Sequence, residues 1–213
     1  MGSSSLLDII GSSIIGSLLL LTALRMNDTA TTNTYQSQEN LTIQQNLTSL
    51  VNNIEYDFRK LGWTADPFAQ PQSDSMIIYG NSDSIVFIAQ LAQNGPVDTV
   101  RWWLGDSAIA GCANQNVRML YRKVTPSDGT AYSLYYSNLG VTQFNLLYFG
   151  PNGIGNISHP GDSIHVPIKA PNNVFYIEIN LTVQPIAAYD TAYNTNFATW
   201  RQIRLTSMNL ANR

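Results

Sequence analysis

Residues 6–24 constrain this chain more than any other stretch, because they are apolar or small with one exception, Asp8. No charge occurs from Ile9 to Leu24, and a helix of that length extends about 24 Å. A bilayer's hydrocarbon core is ~30 Å thick, so the stretch crosses one only with help from its flanks. An Asp at mid-membrane costs about 2.5–3.5 kcal/mol on insertion scales. Asp8 therefore needs compensation, either from an opposite charge in the apolar surroundings or by lying at headgroup level or N-capping the helix that follows. No basic residue precedes it, unlike a secretory signal with its basic n-region. Gly11 and Gly16, with Ser12 four residues before Gly16, offer the small surfaces that let helices approach closely. The candidate assembly residues are Asp8 with Leu6, Leu7, Ile9, Ile10, Gly11, Ile14, Ile15, Gly16, Leu18, Leu19 and Leu21. The same run also suits an inert anchor.

Residues 25–62 are polar at first and then amphipathic. The run "RMNDTATTNTY" is rich in Asn, Thr and Asp, poor helix formers, and is a place for a break or an extended piece. After it, Ile43, Leu47, Leu50, Ile54, Phe58 and Leu61 recur at spacings of four and three. That spacing predicts a helix with one apolar stripe, stopped at Gly62. The stripe must be buried, and the segment after it is the natural cover.

Residues 63–213 read as β. A Pro/Gln/Ser/Asp linker, "TADPFAQPQSDS", leads to two apolar runs around an Asn-Ser-Asp turn in "MIIYGNSDSIVFIAQL". Further runs are "PVDTVRWWLG", "NVRMLYRKV", "TAYSLYYSNL", "VTQFNLLYFG", "SIHVPIKAP", "NVFYIEINLTVQ" and "TWRQIRLTSMNL". Turn clusters separate them, and connections this short make the strands antiparallel. In "RWW" and "LYY", adjacent rings are expected on opposite sheet faces, half of them in the core and half on an aromatic platform for a sugar or partner. The expected fold class is α+β: a long N-terminal helical spine, apolar then amphipathic, packed on an antiparallel β-sheet head, with divisions at 1–24, 25–62 and 63–213.

Composition removes several functions. With 11 Lys and Arg against 14 Asp and Glu, the chain lacks the basic footprint that nucleic acid requires. The single Cys112 forms no internal disulfide and reads as a small buried apolar residue. His159, Asp162 and His165 share one loop, but three metal ligands so close would have to fold tightly around Pro160 and Gly161, so a solvated turn is expected and no metal or cofactor. "GPNGIG" has neither the glycine spacing nor the following helix of a nucleotide loop, and there is no nucleophile elbow. No enzymatic activity is expected. Sequons for glycosylation stand at Asn27, Asn40, Asn46, Asn156 and Asn180.

The layout resembles the type IV pilin superfamily, most closely the J-type minor pseudopilin of type II secretion. Asp8 stands where the family has an acid at the fifth mature position, with a mature start at Ser4. "LVNNIEYDFRKLGW" is similar to the family's helix end. "VRMLYRKV", "YSLYYSNLGVTQFNLLYFGPNG", "NVFYIEINLTV" and "IRLTSMNL" follow the order of its head. The leader differs: it has no basic residue, and Ser and Asp stand where the family has Gly and Glu. The resemblance implies a non-enzymatic filament subunit of a pilus or pseudopilus, whose partners are copies of itself or other pilin-like subunits. It also implies residence in the inner or cytoplasmic membrane before assembly, then in an extracellular or periplasmic filament. Asp8 would pair with the α-amine of a neighbouring subunit. The alternative reading of the same sequence is a membrane-tethered, monomeric β-domain that binds a polysaccharide or protein.

Overall fold

The structure is a computed structural model that describes residues 2–66, 76–92, 95–112, 114–129, 131–150, 167–168, 174–185 and 198–205. One helix, α1 (Gly2–Arg59), is followed by β1 (Ile77–Gly80), β2 (Ser84–Ala89), β3 (Asp98–Ala108), β4 (Arg118–Pro126), β5 (Ser133–Ser137), β6 (Val141–Phe149), β7 (Tyr176–Val183) and β8 (Ala198–Leu205). The chain is α+β, with every strand pair antiparallel. It divides into two compact units, Met1–Thr42 and Ile43–Arg213.

From Gly2 on, the first unit is helix, so the break expected in residues 25–35 is absent. The local reason is visible in its threonines. The hydroxyls of Thr29, Thr31 and Thr34 each donate to the carbonyl four residues back, at 2.8 Å. A hydroxyl bound in this way no longer draws the backbone toward a turn, which is what makes such residues poor helix formers.

In the second unit, the rest of α1 lies on two sheets rather than the single one expected. One has the order β1-β2-β3-β4-β5 and the other β6-β7-β8. Ile43, Leu47, Leu50, Ile54, Phe58 and Leu61 are all buried in one core cluster with Ile85, Phe87, Val100 and Leu120 of the first sheet and Phe144, Leu146, Ile179 and Leu181 of the second. After Arg59 the chain tightens, and Gly62 takes a positive φ of 70° while its N–H donates to the Ile88 carbonyl. Helices commonly stop on a glycine in this conformation.

The sheets separate at Gly140 (φ 82°), where a Cβ would run into the carbonyl of Gln184. The chain therefore leaves β5 and pairs β6 with β7 instead. The sheets meet again at the β1–β2 turn: the Leu146 N–H donates to the Ser82 carbonyl at 2.7 Å, and the Tyr148 hydroxyl to the Asn81 carbonyl at 2.9 Å. The run "SIHVPIKAP" lies outside the described residues except Pro167 and Ile168, neither of which is in a strand.

Candidate functional site

Two surfaces stand out, one in each unit. In the first unit every large apolar residue from 7 to 24 is exposed, from 47% at Leu21 to 72% at Leu7. Of the candidate assembly residues, Leu7, Ile9, Ile10, Ile14, Ile15, Leu18, Leu19 and Leu21 belong to this set, and Asp8 is exposed beside them. The side chain of Leu6 lies outside the described residues. Gly11 and Gly16 have nothing within 4 Å of where a Cβ would stand, so each leaves a shallow notch in the helix surface.

Three of the hydroxyls in this run are satisfied within the helix. Ser12 donates to the Ile9 carbonyl at 3.0 Å, and Ser17 and Thr22 donate to Ser13 and Leu18 at 2.8 Å. Such bonding lets polar side chains enter an apolar medium at low cost. The helix is long and apolar enough to cross a membrane. Arg25, the first basic residue after Asp8, stands about 25 Å further along the helix. The two therefore cannot pair within it.

In the second unit a cleft of about 580 Å³ opens between residues 50–57 of α1 and strands β4–β5. Its floor is an ion pair that the sequence did not disclose. Asp57, only 1% exposed, accepts bonds from Arg122 Nε at 2.6 Å, Arg122 Nη2 at 2.8 Å and Trp102 Nε1 at 2.8 Å. Burial opposes the charge on Arg122, but the hydrogen bonds and field of Asp57 outweigh it and hold the guanidinium above its ordinary range. The register explains the meeting: Trp102, Arg122 and Tyr135 are opposite one another on β3, β4 and β5 and so share one face. The clue in the sequence was Asp57 itself, three residues after Ile54 and seven after Leu50, an acid in phase with the apolar stripe. Such an acid requires a buried partner, and the partner lies 65 residues away on a strand.

The aromatic pairs sort unequally. Trp102 is core, and Trp103 turns to the other face to stack on Tyr121 with centroids 4.9 Å apart. Tyr135 and Tyr136, expected to split between core and surface, are both exposed, because β5 is the edge of its sheet and little covers its inner face.

Among the sequons, Asn27 and Asn40 are exposed. Asn46 donates to the Leu139 carbonyl at 3.3 Å. Asn180 lies within β7, the middle strand of its sheet, and donates to Glu178 at 3.2 Å. Asn156 is outside the described residues, as are His159, Asp162 and His165. Cys112 is buried. Among the described residues no cluster of His, Cys, Asp and Glu could hold a metal. No family model, no curated protein and no solved structure matches the chain.

Proposed function

We propose that the chain is a structural subunit of an extracytoplasmic filament, of the pilus or type II pseudopilus kind, that assembles by packing its N-terminal helices together. The observation that carries this reading is the exposed apolar surface of residues 7–24 with a single acid near its start. Each Leu or Ile left in water forgoes about 1.5–3 kcal/mol relative to burial, so the segment requires an apolar environment. Lipid supplies it first and neighbouring helices afterwards. Because the two environments are about equally apolar, transfer between them needs little hydrophobic free energy. Close packing and polar contacts must then drive association. The notches at Gly11 and Gly16 serve the first need, and Asp8 the second.

A lone carboxylate in such a bundle is costly, while one paired with an α-amine of the next subunit is strongly attracted. With one charge on each chain, the pair also fixes the axial register. Asp8→Ala should leave membrane insertion intact, or ease it, and abolish filaments, as read by fractionation and by electron microscopy of sheared cell surfaces. Normal filaments built from Asp8→Ala would overturn the pairing, and a chain that never forms filaments would leave the monomeric tethered domain as the better reading.

A further inference from the structure

We infer that the cleft between α1 and β5 binds a small monocarboxylate with an apolar body, gripped by Arg122, a role that does not depend on filament assembly. The first reason is the part of Arg122 that Asp57 leaves open. A guanidinium carries five N–H donors in a planar fork. Asp57 takes one side of that fork, an N–H from Nε and one from Nη2. The other three, including the parallel pair at the end of the fork, meet no acceptor among the described residues. Two parallel N–H groups are what a carboxylate accepts with both its oxygens.

The second reason is the direction of the ion pair. Asp57 is 1% exposed and Arg122 20%, so the carboxylate is hidden while the guanidinium lines the cleft. No other acid lines it among the described residues, and Asn53 and Asn138 bring exposed amide donors to its rim. A ligand thus meets the positive end of a buried pair. Asp57 already answers the formal charge of Arg122 and no second cation lines the cleft, so one negative charge suits it better than two. The guanidinium is also fixed beforehand: its Cζ lies 5.9 Å from the Trp102 ring centre and 5.4 Å from that of Tyr135. A donor already held in place loses little freedom when a ligand arrives.

The third reason is the rest of the lining. Leu50, Leu120 and Leu139 line the same cleft as the guanidinium. An apolar lining with one charged group that sets orientation is the usual make-up of a small-molecule site, and the volume lies within the ~300–1,000 Å³ of such sites. The matching ligand carries its carboxylate at one end and a ring or short alkyl chain at the other.

The test uses the full chain in a nonionic detergent near neutral pH, titrated calorimetrically with benzoate and hexanoate. Benzamide and hexanamide serve as their uncharged counterparts, and phenyl phosphate as a dianion. The acids should bind, the amides at least about tenfold more weakly for want of the charge-assisted bonds, and phenyl phosphate more weakly than benzoate. Arg122 also holds the fold through Asp57, so the variants are placed at the exposed Asn53. Asn53→Lys should tighten benzoate binding and Asn53→Asp loosen it, each about two- to fivefold, with the melting temperature of the ligand-free protein little changed. No saturable binding of either acid would overturn the inference. So would amides that bind as tightly as the acids, phenyl phosphate that binds more tightly than benzoate, or an affinity for benzoate that both variants leave unchanged.

Discussion

Asp57 joins α1 to the first sheet through three hydrogen bonds that a single carboxylate accepts. Removing one partner of a buried pair leaves the other charge uncompensated, at a cost of about 3–5 kcal/mol. Asp57→Ala should therefore lower unfolding free energy by that amount in denaturant titrations followed by tryptophan fluorescence. The double replacement Asp57→Leu with Arg122→Met should recover most of it, since apolar isosteres of buried pairs are often neutral. Tyr148 gives a pH dependence. Fully buried, with its hydroxyl held by the Asn81 carbonyl, its phenol is pushed well above the ordinary 10.0 by desolvation first and by the charge of Asp83 second. The folded state thus keeps a proton that the unfolded state gives up. Stability from this group is complete below pH 10.0 and declines as pH rises beyond it. Tyr148→Phe should flatten the alkaline limb of the stability curve.

The elements differ in how much of their placement the sequence carries. The stripe from Ile43 to Leu61 was legible because a period of 3.6 leaves its own mark, and Ile54, wholly buried, is its centre. Ile54→Ala should cost about 2–5 kcal/mol, measured as a shift in the denaturation midpoint. Strand runs were legible for the same kind of reason, with a period of 2. Partners were not, since alternation names a face and no neighbour. The separation into two sheets hangs on Gly140, whose positive φ and close approach to Gln184 depend on a strand far along the chain. Gly140→Ala should destabilise the second unit by at least about 1–3 kcal/mol. Propensity alone misread residues 25–35: it counts the tendency of Thr to leave helices, whereas here the hydroxyls bond to the helix itself. The Asp57–Arg122 pair went unread: Asp57 stands in phase with the apolar stripe, but nothing local in the sequence says which base answers it.

For the whole molecule, the account separates two tasks along one chain. Among the described residues of 43–213, the helix and both sheets share one buried apolar core. Residues 7–24 leave their apolar surface open, and the proposal is that other copies close it. The most direct measurement is cross-linking of single cysteines placed at Ser12, Gly16 and Leu20 by a bis-maleimide long enough to span helices about 8–10 Å apart and offset along their axes, with Cys112→Ala removing the native thiol, in membranes and in sheared surface material. The account predicts covalent dimers at positions on one helix face, lost when Asp8→Ala is added. Monomers at all three positions, in cells that make the protein in quantity, would contradict it.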